Sequence, residues 1–205
     1  LSIVPAAAQS PTFFDAVRAM NENRFADAAR LLTKEIEDNP DNDAAYFYLA
    51  DALCADKQNP DLAKVESYYR KAAEMAPDNY WYKYTLALFY QQTERPELCS
   101  ALLEELLESH PKKSDLYFSV ANAYLQQNDV DKAISSIQRI SDIGGRNETI
   151  CITMMDLLMK QGKGKEAYAY LEEYFKECKS PRLASMLGDW YQQTYRDSLA
   201  LDCYN

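Results

Sequence analysis

The sequence predicts an all-α protein made of antiparallel helical hairpins stacked one on the next. Three observations predict it. A tyrosine-glutamine signature recurs as Tyr90-Gln91-Gln92-Thr93, Tyr124-Leu125-Gln126-Gln127 and Tyr191-Gln192-Gln193-Thr194; the step from 90 to 124 is 34 residues, and that from 124 to 191 is about two such steps. Turn signals keep the same beat: Asn39-Pro40-Asp41-Asn42, Ala76-Pro77-Asp78-Asn79 and His110-Pro111 each close an apolar segment, and Ile143-Gly144-Gly145 fills the next place, where glycine suits a helix end. Between the turns apolar residues recur at helical spacing. Tyr46, Leu49, Ala50 and Leu53 form one stripe, and Val65, Tyr68, Tyr69 and Ala72 form a second after a polar break.

The elements follow in order. Units are expected near 11–42, 43–79, 80–113, 114–147 and 148–180, with a sixth beginning at 181 and stopping partway into its second helix. Each unit splits into two helices; the fourth repeats the pattern as Tyr117, Val120, Ala121 and Tyr124, then Ala133, Ile137 and Ile140. Small residues hold matching places: Ala50, Ala87, Ala121 and Gly188 in first helices, and Ala28, Cys99, Ala133, Ala167 and Ala200 in second helices. Closely crossing helix backbones need small side chains there. Three departures stand out: Asp15 in place of an apolar residue, Glu35 in place of a small one, and an insertion at Gln58-Asn59-Pro60.

These residues resemble the tetratricopeptide repeat family. Tyr46-Leu49-Ala50 with Tyr69-Ala72-Pro77, and Leu187-Gly188-Tyr191 with Ala200-Tyr204, carry the likeness best, which extends over nearly the whole chain from about residue 11. The resemblance implies a right-handed superhelix, an α-solenoid, over residues 11–205: five full repeats and a truncated sixth. It also implies that first helices line a concave face that binds a peptide or protein segment. An array ending without a polar capping helix exposes its last apolar face. The chain is therefore expected to be the N-terminal piece of a longer array, or to pack its end on a neighbouring molecule.

Composition narrows the function. A net charge of −10 argues against nucleic acid and against an anionic membrane surface. No apolar run reaches the length needed to span a bilayer. Five cysteines without a paired spacing, and a single histidine, His110, leave no common zinc pattern and no nucleophile system. Within predicted helices the thiols are expected to act as small hydrophobes. Gly162-Lys163-Gly164-Lys165 lacks the spacing of a phosphate-binding loop and is read as the turn inside the fifth unit. The stretch Asp38–Asp43 lacks a calcium loop's glycine and closing glutamate. Glu104-Glu105 and Glu172-Glu173 are read as solvated second-helix surface. No enzyme, metal or cofactor is expected.

The N-terminus is read as the end of a secretory signal. In Leu1-Ser2-Ile3-Val4-Pro5-Ala6-Ala7-Ala8-Gln9, small residues at Ala6 and Ala8 precede a polar residue. Residues 1–10 are thus a signal remnant or a disordered tail, and a remnant would place the protein in a bacterial periplasm or outside the cell.

The expected binding face takes its residues from repeated first-helix slots. One slot holds Phe13, Phe47, Tyr84 and Phe118, an aromatic ladder along one groove. The next holds Asp51, Leu88 and Asn122, and a third holds Gln91 and Leu125. Aspartates in the second slot, Asp51, Asp156 and Asp189, are expected to bias the groove against acidic ligands. The leading expectation is a non-catalytic scaffold holding a protein or peptide there. The alternatives are a self-associating array joined through its uncapped last repeat, and the recognition arm of a larger enzyme or sensor.

Overall fold

The computed structural model describes residues 10–55, 61–144 and 147–204. The signal-like stretch Leu1–Gln9, the insertion at Gln58-Asn59-Pro60 and Gly145 lie outside these residues. Within them the chain forms twelve helices and no strand: α1 (Pro11–Asn21), α2 (Phe25–Asp38), α3 (Asp43–Ala55), α4 (Leu62–Met75), α5 (Tyr80–Gln92), α6 (Pro96–Ser109), α7 (Ser114–Gln126), α8 (Val130–Gly144), α9 (Glu148–Lys160), α10 (Gly164–Glu177), α11 (Pro181–Gln193) and α12 (Asp197–Tyr204). None of them is long and apolar enough to cross a membrane.

Capping residues set the starts. Ser10, Asp61, Asn79, Asn147 and Ser180 each accept a hydrogen bond from a backbone N–H in the first turn that follows, satisfying a donor with no helical partner. Pro11 and Pro181 open their helices, where proline's missing N–H costs nothing.

Five turns inside the hairpins, those among the described residues, share one geometry. Asn23, Glu94, Asn128, Gly162 and Tyr195 have φ of 57°, 57°, 60°, 73° and 58°. In each case the following N–H reaches back across the turn, as Arg95 N does to Tyr90 O at 2.9 Å and Arg196 N to Tyr191 O at 2.8 Å. This left-handed exit closes a helix and reverses the chain, and only Gly162 adopts it without a Cβ clash. Gly162 therefore belongs to a turn, as its spacing predicts. Tyr195 is 92% exposed and gains nothing from burial to offset the strain. Tyr195→Gly is expected to raise stability by about 0.5–1 kcal/mol in urea unfolding, the strain relieved outweighing glycine's added chain entropy. A destabilised variant would count against that assignment.

The chain falls into two units, Leu1–Leu106 and Leu107–Asn205. In the first, α1 packs on α2, α2 on α3, α3 on α4 and α4 on α5; in the second, α7 through α12 pack in the same successive way. The small positions lie where the helices meet: Ala28, Ala50, Ala87, Cys99, Ala133 and Ala167 are fully buried. At Gly188 a Cβ would stand 2.5 Å from the Tyr204 ring, so a side chain here would have to displace that ring from its place over α11.

The departures have local causes. Asp15 lies exposed on α1 and pairs with Arg18 at 3.3 Å, so it takes no core position. Glu35 is fully buried and accepts hydrogen bonds from the Ser10 hydroxyl, from Asn39 Nδ2 at 3.1 Å and from Asn42 Nδ2 at 2.9 Å. Its carboxylate replaces a small residue by tying the start of α1 to the turn between α2 and α3.

Two of the three recurring tyrosines make the same kind of bond. Tyr90 Oη donates to Glu66 at 3.0 Å, and Tyr191 Oη donates to Glu172, so each phenol bonds a carboxylate of the preceding second helix. Glu172 is thus a half-buried acceptor, correcting its reading as solvated surface. Thr93 and Thr194 bond back to Phe89 O and Trp190 O, and Arg95 and Arg196 lie over the Tyr90 and Trp190 rings at 4.7 and 5.5 Å.

Candidate functional site

The expected groove residues fall into distinct environments. Phe13 is 3% exposed, packed among Ala16, Leu32 and Leu49, and its ring meets Tyr48 at 5.8 Å. The expectation that it lines a groove is corrected: α1 turns this position toward α2 and α3. Phe47 is half-buried and stacks on Tyr82 of α5 at 4.7 Å, with Tyr48 and Tyr69 at 5.8 and 5.7 Å. Much of that ring serves the junction of α3, α4 and α5. An unbroken ladder of exposed rings from Phe13 onward is therefore not what α1 and α3 present.

An aromatic cluster with one exposed ring, Trp81, sits instead on α5. Tyr80 stacks on Tyr84 with centroids 5.4 Å apart, and Trp81 meets them edge-on at 5.2 and 6.3 Å. Trp81 is 51% exposed. The spacing 81, 84 and 88 places Trp81, Tyr84 and Leu88 on one face of the helix, with Gln91 one turn beyond Leu88. Tyr84, Leu88 and Gln91 are half-buried. Trp81 was not among the expected residues, and its signal was that helical spacing toward Tyr84. In the second unit Phe118, Asn122 and Leu125 share α7, with Asn122 exposed and the other two half-buried.

Asp51 is more than a groove charge. Tyr69 Oη donates to its carboxylate at 2.6 Å. Burial pushes this carboxyl up to about 6, against the opposing effect of the Tyr69 hydrogen bond. The bias against acidic ligands is correspondingly weaker here than a solvated aspartate would give. The matching slot of the last hairpin repeats the pair, Tyr204 Oη donating to Asp189 at 2.7 Å. Tyr69 and Tyr204 stand where other second helices carry Leu32, Leu103, Ile137 and Leu171, and that substitution was the legible sign of the pairing.

The raised Asp51 carboxyl has a definite consequence for stability. Between about pH 4 and 6 the folded chain keeps a proton that the unfolded chain has released. Stability contributed by this group therefore falls as pH rises through that window, and stays lower above it. Asp51→Asn keeps an acceptor for Tyr69 and removes the term. It is expected to gain on the order of 1 kcal/mol at pH 7, the partial exposure of the site being allowed for, and to flatten the pH profile. Urea unfolding at pH 4.5 and 7 measures both; an unchanged profile would reject the coupling.

The cysteines are free thiols. Cys99 and Cys151 are buried, and burial pushes the Cys99 thiol up to about 11, which keeps it protonated near neutrality. Among the described residues no group of His, Cys, Asp and Glu is placed to hold a metal ion.

Hairpins of two short helices, repeated with small residues at each crossing, define a helical-repeat protein. The tetratricopeptide repeat family matches residues 16–80 and 84–146, more than half of the chain, and the chain belongs to that family. Among solved structures it is similar to MamA (41-end) from Desulfovibrio magneticus RS-1, with a TM-score of 0.66 at 13% identity over 84% of this chain and 96% of that one. It is also similar to MamA of AMB-1, with a TM-score of 0.63 at 17% identity over 80% and 95% of the two chains. A further MamA crystal structure gives 0.66 at 14% identity over 80% and 88%. At these identities the likeness shows the shared fold.

Proposed function

We propose that the α5 face of the first unit binds a segment of another protein, with Trp81, Tyr84 and Leu88 as its anchors. Proteins of this family bind other proteins and are typically non-catalytic scaffolds, and the fold supports a general interaction role. The observation that carries the finer reading is the Tyr80–Trp81–Tyr84 ring cluster with Trp81 half in solvent. Rigid aromatic side chains give large contact area at small entropic cost, and Trp and Tyr are enriched among residues that dominate interfaces. Leu88 extends the same face with an aliphatic side chain, and Gln91 adds an amide that donates and accepts. The ligand this surface suits is an extended or helical segment with apolar side chains and few carboxylates. Alanine at Trp81 and Tyr84 tests the assignment by separating loss of binding from loss of fold.

A further inference from the structure

Asp51 stands beside the proposed anchors without the partner that a half-buried carboxylate needs. Phe47 and Asp51 of α3 hold the same two slots as Tyr84 and Leu88 of α5, one turn apart on each helix. The stack of Phe47 on Tyr82 at 4.7 Å joins α3 to α5 at this level. Asp51 is thus the α3 counterpart of Leu88, and neighbouring helices set the two roughly 10 Å apart.

Its contacts are few. Oδ1 accepts the Tyr69 phenol at 2.6 Å, and Oδ2 accepts nothing from the described residues. No cation among the described residues pairs with the group; its titratable neighbours are Tyr69 of α4 and Cys54 on its own helix, both neutral near pH 7. Burial therefore raises the Asp51 carboxyl with only that phenol to oppose it. Other carboxylates of this unit are met. Glu66 is held by Arg95 at 2.7 Å and Glu105 by Lys83 at 2.6 Å. The furrow of about 480 Å³ between α4 and α6, which Leu98 lines, balances Arg70 and Lys83 against Glu74 and Glu105. The matching Asp189–Tyr204 pair is exposed, where water completes it.

We propose that the segment seated on Trp81, Tyr84 and Leu88 carries a cationic side chain, arginine or lysine, that pairs with Asp51 Oδ2. This rests on the binding face proposed above and names the charge its ligand must bring. A carboxylate withdrawn from water without a cation is held at a cost, and a ligand cation offsets that cost as well as being attracted. The apolar contacts supply affinity, while the charge sets register and rejects acidic segments. An extended chain rises about 3.3 Å per residue, so the cation stands roughly three residues from the side chain over Leu88.

The test pans a random peptide display library on the whole chain and on Asp51→Asn, which keeps an acceptor for Tyr69. The wild type is expected to select apolar segments with arginine or lysine at a fixed spacing, and Asp51→Asn to select apolar segments without that enrichment. A selected peptide is then synthesised with its basic residue and with glutamine in that place. The glutamine change and Asp51→Asn are each expected to weaken binding about tenfold, and together no more than either alone. Affinity of the wild type for the basic peptide is also expected to fall several-fold from pH 7 to pH 5, as Asp51 takes up a proton, with no such fall in Asp51→Asn. Selected segments without basic enrichment, or losses that add, overturn this proposal, and their dependence on Trp81 leaves the anchor site standing. A library that yields no segment dependent on Trp81 overturns both.

Discussion

Trp81→Ala and Tyr84→Ala, combined, are expected to lose at least about thirtyfold in affinity for the segment that the wild-type protein selects from a random peptide display library, a loss of about 2 kcal/mol or more. Folding stability is expected to change by less than about 1 kcal/mol, because half the tryptophan already faces water and little cavity forms. Phe13→Ala is the contrasting variant. Its ring lies in the core, and its removal is expected to cost about 3–5 kcal/mol of folding stability through lost burial and an unfilled cavity. Urea unfolding and peptide titration on the same preparations separate the two outcomes. Substantial unfolding of the Trp81/Tyr84 variant, with binding lost only in proportion, would return these rings to a packing role.

Glu35→Ala is expected to destabilise the chain by about 3 kcal/mol, enough to lower Tm by roughly 10 °C. The cause is what the carboxylate leaves behind. Asn42 is buried, and its Nδ2 donates to Glu35 Oε1 at 2.9 Å; without that oxygen the amide stays out of water with a donor unmet. The Ser10 hydroxyl and Asn39 lose the same acceptor, which also loosens the entry to α1. Glu35→Gln retains the oxygen that Asn42 uses and is expected to lose about half as much. A cost below about 1 kcal/mol for the alanine variant would mean that water replaces the carboxylate readily and that the cluster does not hold the turn.

Much of the fold was legible because it is written many times over. A small residue at each helix crossing, a tyrosine one turn on and a proline or glycine at each junction repeat along the chain, so one ambiguous position is corrected by its counterparts. The departures were visible as departures but not as contacts. Glu35 breaks the pattern at one place, and its partners Ser10 and Asn42 are ordinary capping and turn residues in sequence. Nothing in the local pattern says that a turn amide and a helix carboxylate meet.

The candidate sites were less legible, for a geometric reason. Slots equivalent along the repeat are not equivalent in burial. Phe13, Phe47 and Tyr84 share a slot, yet the first is core, the second stacks on Tyr82 of another helix, and the third, half-buried, joins a cluster on its own helix in which Trp81 is exposed. Whether a ring faces solvent depends on the neighbouring side chains, and those vary from hairpin to hairpin. The Asp51–Tyr69 pair is similar: each residue is a common surface type, and only their approach to 2.6 Å turns the aspartate into a half-buried acceptor with a raised carboxyl.

The sequence by itself determined the family, the helical class and the turn at Gly162 inside the fifth hairpin. Those depend on periodic, local features, namely helical spacing, caps and small residues, that act within a few residues of one another. Only the tertiary structure decided which aromatic rings are exposed, how Glu35 is satisfied, and that α4, α5 and α6 enclose a furrow. Each of these requires side chains from separate helices to meet, and side-chain volume and hydrogen-bond geometry at a crossing are not periodic. Leu98 makes the division concrete. In sequence it is one more helical leucine, and only the open space beside Ala101, Leu102 and Glu74 makes it a surface.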